Sequence, residues 1–132
     1  MPRGTTIRMD RLRLHCKPFF KPGTIKTVMA AKEITEYLHE DIRENMTRAW
    51  HLGRIKHFVL KLQRGEQVEP ISIDDPCDFG AITGVPIILD GYHRYAAHIV
   101  AGQPTIRCTF GGLVATLRYL QGRRKKYPPD EG

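Results

Sequence analysis

The fold is decided by one stretch of the sequence, which reads Ile87-Ile88-Leu89-Asp90-Gly91-Tyr92-His93-Arg94-Tyr95-Ala96-Ala97. Its first residues complete an apolar, β-branched run from Val85 to Leu89, which predicts a buried strand. Asp90 and Gly91 then form a tight turn. The residues from Tyr92 to Ala101 have helical spacing, and Gly102 is a typical helix stop. A strand that passes through a single Asp-Gly pair into a helix is typical of folds that bind ligands where the strand ends.

The segments on both sides of this stretch predict a small domain. An edge strand is expected within 5–15, a helix over 28–51, a second helix over 55–62, strands over 68–73 and 104–110, a loop or hairpin over 74–84, and a last helix over 113–121. Gly53 is expected to separate the first two helices. The expected fold class is α+β (α/β-like), a single domain with a small mixed sheet flanked by helices. We expect Tyr95 and Trp50 in the core and His98 at the surface.

Length and composition indicate one globular, cytoplasmic domain. The chain has 132 residues, of which 41% are hydrophobic and 27% charged, as in ordinary globular proteins. Its three cysteines form no metal-binding or disulfide pattern, which favours a reducing compartment and argues against structural zinc. The longest apolar runs are too short to span a bilayer, and the N-terminus lacks the apolar stretch of a signal peptide, so we expect no membrane partner.

Positive charge is concentrated at the two ends of the chain. Of the net charge of +7, residues 1–26 supply seven basic residues against one acidic residue, and residues 118–127 supply five basic residues and no acid. The sequence predicts a basic N-terminal arm or edge strand over 1–26, a domain over 27–121 and a basic C-terminal tail over 122–132. Basic arms bind phosphate backbones in a salt-dependent way. Candidate nucleic-acid contacts are therefore Arg123, Arg124, Lys125 and Lys126, and a merely solvated surface is the alternative.

The turn at Asp90-Gly91 carries the chemistry of an anion site. The first turn of a helix has unpaired N–H groups and the positive end of the helix dipole. Gly91 allows a ligand to approach the backbone closely, while His93 and Arg94 add side-chain donors that suit phosphate oxygens. Asp90 could hold a metal ion that bridges phosphates, orient a nucleophile or cap the helix. A structural role for all three side chains is the alternative.

The same residues carry a family resemblance. Asp90-Gly91-Tyr92-His93-Arg94-Tyr95-Ala96-Ala97, with Gly102 and a short strand behind it, resembles ParB-type and sulfiredoxin-type domains. In those families a glycine, a variable residue and a His-Arg or Arg-Arg pair open a helix after a buried strand. The stretch from Leu62 through Pro70-Ile71 to Ile73 is also similar to them. The likeness covers about residues 54–121.

The resemblance implies a nucleotide site. Gly91, His93 and Arg94 match the loop that holds nucleotide phosphates in those families, whose members use CTP, ATP or ADP. A nucleoside triphosphate, ATP or CTP, and Mg²⁺ are the expected cofactors. The resemblance also implies a homodimer as a partner state. Tyr92 stands where sulfiredoxin has its catalytic cysteine, so sulfiredoxin activity is not expected. Partition proteins carry a helix-turn-helix domain behind this fold, and the chain leaves no room for one, so sequence-specific operator binding is not expected.

Three functions follow as hypotheses. The first is a nucleotide-binding switch or nucleoside triphosphatase linked to DNA, with Asp90 and His93 catalytic and Tyr92 among the nucleotide- or phosphate-binding residues. The second is a metal-dependent nuclease or phosphotransferase in which Asp90 holds Mg²⁺. The third is a DNA- or protein-binding module without nucleotide chemistry. Glu69 and Arg107 are accessory candidates, each with a solvent-facing position as its alternative.

Overall fold

The computed structural model describes residues 4–17, 21–37, 47–75, 77–78, 81–82 and 86–128. The elements in chain order are β1 (Thr5–Arg8), α1 (Met9–His15), α2 (Ile25–Ala30), α3 (Arg48–Gln63), β2 (Ile71–Asp74), β3 (Cys77–Asp78), β4 (Ala81–Ile82), β5 (Ile87–Asp90), α4 (Tyr92–Val100), β6 (Thr105–Gly111) and α5 (Val114–Leu120). The predicted α+β class with a small mixed sheet and flanking helices is confirmed. No helix among the described residues is long and apolar enough to cross a membrane.

The chain divides into two compact units. The first comprises residues 1–17, 69–92 and 103–132, and the second comprises residues 18–68 and 93–102. The four-stranded sheet, α1 and α5 belong to the first unit, while α2, α3 and nearly all of α4 belong to the second. The domain boundaries expected from the sequence stay a prediction.

The sheet of the first unit has the strand order β1-β6-β2-β5. Strand β6 runs parallel to β2 and antiparallel to β1, and β5 runs antiparallel to β2. Alternate residues of the strands point into a core, as the period of two requires. The buried side chains of this unit include Ile7, Leu12, Ile71, Ile73, Ile106, Cys108 and Leu120. Helix α5 is joined to the end of β2 by the Thr116 hydroxyl, which donates to Asp75.

The expectation of a buried strand before Asp90 was wrong for the residues that the structure describes. Within β5, Ile87 is 42% exposed and Leu89 is 62% exposed. The reason is position in the sheet, because β5 is an edge strand that pairs only with β2 among the described residues. Val85, the first residue of the expected strand, lies outside the described residues.

The expectation of an edge strand over 5–15 was correct for its first four residues only. Strand β1 is the other edge of the sheet and pairs with β6, whereas residues 9–15 form helix α1. Met9, Leu12 and Cys16 recur three and four residues apart and are all buried. This helical spacing outweighed the loose alternation that suggested a strand.

The second unit departs most from expectation, because no continuous helix covers residues 28–51. Helix α2 ends at Ala30, residues 31–37 are not helical, and α3 begins at Arg48. Leu38, Ile42 and Met46, which belong to the expected apolar stripe, lie outside the described residues. Thr47 caps α3 by accepting a hydrogen bond from the Trp50 amide at 3.2 Å.

The sequence suggested that Gly53 separates two helices, and this expectation was wrong. Gly53 lies inside α3. Its carbonyl accepts from the Ile34 amide at 3.0 Å, so the segment after α2 runs against the helix at this point. A Cβ at residue 53 would overlap the carbonyl oxygen of Lys32. The Lys56 ammonium group also donates to the carbonyls of Met29 and Ala31. Gly53 therefore permits a close backbone approach rather than ending a helix.

Candidate functional site

The backbone of the predicted anion turn has the expected form. Strand β5 ends at Asp90, helix α4 begins at Tyr92, and Gly91 between them has a φ of +97°. This left-handed conformation strongly favours glycine. Gly91 is buried, Tyr92 is half-buried, and both lie in the first unit, whereas the next residue begins a segment of the second.

In the first unit, Asp90 lies on a polar face of the sheet. It is exposed and stands opposite Ser72 of β2, whose hydroxyl is 3.1 Å from the hydroxyl of Thr109 on β6. Residues paired across strands share a face, and so do residues two apart on a strand. Asp90, Ser72, Thr109 and Arg107 therefore belong to one face. Neither hydroxyl was identified from the sequence, because the sequence alone does not give the register of the strands.

The two accessory candidates, Glu69 and Arg107, are both exposed. Glu69 precedes β2. On β6, the guanidinium of Arg107 lies near Gly4, and the ring of Pro70 lies near the same glycine. One strand, β2, separates β6, which carries Arg107, from β5, which carries Asp90. Their accessory roles stay predictions.

In the second unit, the ring of His93 is held by two aromatic neighbours from the first turn of α3. Its Nε2 atom is 2.9 Å from Nδ1 of His51, and the two rings are stacked with 18° between their planes. The half-buried ring of Trp50 meets His93 edge-on at 5.2 Å. Burial lowers the pKa of His51 below its ordinary value, so the neutral form is favoured. Neither His51 nor this role of Trp50 was identified from the sequence.

Arg94 is 9% exposed and lies near a second arginine of its unit, Arg54. Burial, followed by the charge of Arg94, lowers the pKa of Arg54. Arg54 donates through Nη1 to the carbonyl of Thr35 at 2.7 Å. Among the described residues, its buried Nε atom has no hydrogen-bond partner. Two like charges in a partly buried place create an environment that favours an anion.

Two residues of α4 complete this region. Tyr95 is fully buried, as expected, but the expectation that His98 lies at the surface was wrong. His98 is 7% exposed, and its Nδ1 donates to the carbonyl of Arg94 at 2.6 Å. The helix turns this position inward, one turn after Arg94. Burial is the main reason that the pKa of His98 is lowered; Arg94 adds to this effect, and the hydrogen bond opposes it.

We expect the buried His98 to make the fold sensitive to acid. Because its pKa is lower in the folded chain, the unfolded chain binds more protons, and the free energy of unfolding falls as pH drops below the ordinary value of 6.5. Urea unfolding of wild type and His98→Gln at pH 7.5 and 5.5 measures this difference. The variant should lose less stability in acid than wild type.

The control for this prediction is His57→Gln. His57 is half-buried, and its Nδ1 atom lies 3.2 Å from the Glu33 carboxylate. An equal acid sensitivity in wild type and His98→Gln would contradict the assignment of the effect to His98.

The basic run Arg123, Arg124, Lys125 and Lys126 lies in the first unit, beyond α5. Arg124 is half-buried and the other three side chains are exposed. Among the described residues, no group of three or more His, Cys, Asp or Glu side chains could hold a metal ion.

Comparison of the chain with models of protein families, with curated proteins and with solved structures finds no match.

Proposed function

We propose that this chain is a nucleotide-binding protein of the ParB/sulfiredoxin-like kind, which holds nucleotide phosphates along the turn from Gly91 to Arg94. The observation that carries the proposal is the backbone of that turn. Gly91 has a φ of +97° and leads directly into the first turn of α4, where two basic side chains, His93 and Arg94, follow. Amides at a helix start and a guanidinium nearby are the donors that phosphate oxygens prefer.

The charges of the second unit support a phosphate ligand. Arg94 is buried and raises the electrostatic cost of keeping Arg54 charged. A bound phosphate would offset this repulsion, and its oxygens suit the buried Nε atom of Arg54. The pair also gives the site more charge than the His-Arg sequence alone supplies.

Asp90 suits the magnesium ion that would accompany a nucleoside triphosphate. Mg²⁺ in nucleotide sites is held by one or two carboxylates together with phosphate oxygens and water. Asp90 is an exposed carboxylate at the end of β5 and shares its sheet face with the hydroxyls of Ser72 and Thr109. Asp90 would hold the ion, which would neutralise phosphate charge in a switch or in hydrolysis linked to DNA.

The direct test is calorimetric titration of ATP and of CTP, each with Mg²⁺, into the whole chain. We expect micromolar binding of at least one nucleotide and much weaker binding of adenosine and cytidine, which lack phosphates. Binding of neither triphosphate would contradict the proposal. Release of inorganic phosphate that stops in Asp90→Asn would identify hydrolysis, whereas binding without release would identify a switch.

The histidine pair predicts a pH dependence of this binding. A phosphate beside His93 favours a proton on the His51–His93 pair, whereas burial alone lowers the pKa of His51. Affinity for the triphosphate should therefore rise as pH falls from 8 to 6.5, by at most about tenfold per pH unit for one linked proton. His51→Asn should flatten this rise, as measured by titration at each pH.

His57→Asn is the matched control for this measurement, since His57 lies on the same helix beside Glu33. It should keep the wild-type slope, including the part that comes from protonation of the phosphate itself. A slope that is the same in all three proteins would contradict a role for the pair.

We also propose the cytoplasm as the compartment. Cys16 and Cys108 are buried thiols outside any disulfide. Burial raises the pKa of Cys16 to about 11 and that of Cys108 to about 12. Thiols of this kind stay protonated and unreactive, which suits a reducing environment.

A further inference from the structure

The two basic ends of the chain meet in the first unit. Nη1 of Arg11 in α1 donates to the carbonyl of Tyr119 in α5 at 2.9 Å and also to the carbonyl of Arg124. The Arg11 guanidinium lies over the Tyr119 ring, 4.7 Å from its centroid. One side chain thus ties the N-terminal helix to the chain that follows α5.

Aromatic contacts hold the same segment. The ring of Tyr127 stacks on His15 at 4.4 Å and meets Tyr119 edge-on at 5.2 Å. Nε2 of His15 is 3.0 Å from the Tyr119 hydroxyl, and Pro128 is buried. Residues 122–128 therefore pack against α1 and α5 rather than forming a free arm.

The turn after α5 brings a further arginine to this place. The amides of Gly122 and Arg123 donate to the carbonyls of Tyr119 and Arg118, which closes the helix end. The side chain of Arg8 lies against Gly122, where an added Cβ would be 2.8 Å from its Cδ. The surface that results, here called the joint basic surface, consists of Arg8, Arg11, Arg118, Arg123, Arg124, Lys125 and Lys126.

Little negative charge opposes this surface. Segments 5–17 and 118–128 contain a single acidic residue, Asp10, and its carboxylate is paired with Arg8. Arg118, Arg123, Lys125 and Lys126 are exposed. The apolar side chains of the second segment point inward, since Leu120 and Pro128 are buried and Tyr119 is 6% exposed. Within residues 118–128 no large apolar side chain is exposed, which suits a phosphate backbone better than a membrane, since a membrane calls for side chains that insert. In segment 5–17, Leu14 is exposed, and a comparison with lipid vesicles therefore belongs to the test.

We propose that the joint basic surface binds the phosphate backbone of double-stranded nucleic acid without regard to sequence. The proposal extends the DNA link of the proposed function, but it does not require the phosphate turn before α4. It adds Arg8, Arg11 and Arg118 to the run at residues 123–126. Arg11 acts here as a positioning residue, because its donors are engaged by carbonyls.

The test measures binding of a mixed-sequence 20-base-pair duplex to the full chain by fluorescence anisotropy over a salt series. The variant Lys125→Ala/Lys126→Ala removes two exposed cations from the surface. Its matched control is Arg13→Ala/Lys17→Ala, which also removes two exposed cations from the first unit. Arg13 is two residues from Arg11 and from His15, so helical geometry turns it to the opposite flank of α1.

We expect the affinity of wild type to fall steeply with salt and the affinity of the surface variant to fall by at least about tenfold at 0.1 M salt. The slope of log affinity against log salt should become shallower by about 1.8, because two phosphate contacts are lost. The control should change neither quantity by more than about a third of these amounts. Equal losses in both variants would overturn the proposal in favour of diffuse attraction.

Vesicles with one quarter anionic lipid provide the competing partner. Tighter binding to these vesicles than to the duplex, at equal salt, would overturn the proposal in favour of a membrane surface. Titration of ATP and CTP into the surface variant separates the two proposals. If the surface variant loses duplex binding but binds nucleotides like wild type, the joint basic surface is supported. If wild type binds the duplex but binds no nucleotide, the joint basic surface is still supported and the proposed function is contradicted.

Discussion

Replacing Arg94 by alanine should abolish measurable nucleotide binding. Arg94 is only 9% exposed, so a phosphate contact made there is shielded from water and salt. Charge-assisted hydrogen bonds of this kind contribute about 1.5–3 kcal/mol each, so the loss of two is a reduction of about 100-fold or more. Titration of ATP and CTP with Mg²⁺ into wild type and Arg94→Ala measures it.

Because Arg94 is buried, its loss could also weaken the fold, and two further proteins address this. Arg94→Lys keeps the charge but not the planar fork, so we expect a loss of about tenfold with a retained fold. Arg64→Ala removes an exposed arginine whose partner is Glu66, and nucleotide affinity should not change. A folded Arg94→Ala protein that binds nucleotides like wild type would refute the phosphate site.

Replacing Gly53 by alanine should cause the largest loss of stability. In a helix interior, alanine is by itself more favourable than glycine by about 1 kcal/mol. Here, however, the new methyl group would overlap the carbonyl of Lys32 and approach Ile34 to 2.9 Å. The segment after α2 would have to move and would lose the hydrogen bond from the Ile34 amide. We expect a net loss of about 3 kcal/mol, seen as a drop of about 10 °C in Tm.

Gly65→Ala is the control for this prediction. Gly65 ends α3 with a φ of +73°, and no atom lies within 4 Å of an added Cβ. It should lose only the cost of the left-handed conformation, about 1 kcal/mol. Equal losses of stability at both positions would mean that the close approach of the Lys32 carbonyl to Gly53 does not contribute to the loss. A stabilised Gly53→Ala would contradict the packing of this segment.

The sequence predicted the strand-turn-helix at Gly91 because its signals are local. An apolar run, an Asp-Gly pair and a helical period follow one another within residues 87–102. The break after Ala30 had no such signal, since no glycine or proline lies between Val28 and Trp50. That break depends on tertiary contacts, in which Lys56 satisfies the carbonyls at the end of α2. Tertiary hydrogen bonding overrode a local helical pattern.

In the candidate site, too, the residues that are neighbours in the sequence were predicted and those brought near by tertiary packing were not. Asp90, His93 and Arg94 were accessible to sequence reasoning because they are neighbours in the chain. His51 and Arg54 are about 40 residues away from His93 and Arg94, and only the packing of α3 brings them near. A signal existed in the Trp-His pair at the start of a helix, but a single histidine after a tryptophan is more often structural. The edge position of β5 likewise depends on strand order, which the apolar run does not encode.

The pairing of β1 with β6 joins residues that are about 100 positions apart, such as Thr5 and Cys108. Arg11 and Arg124 are separated even further. Contacts between such distant residues close large loops and slow folding. During synthesis, residues 5–17 emerge before β6 and cannot pair until β6 has left the ribosome. Until then, the apolar side chains of Ile7 and Leu12 stay exposed to solvent. We therefore expect the folding of the first unit to be limited by the synthesis of the C-terminal third of the chain.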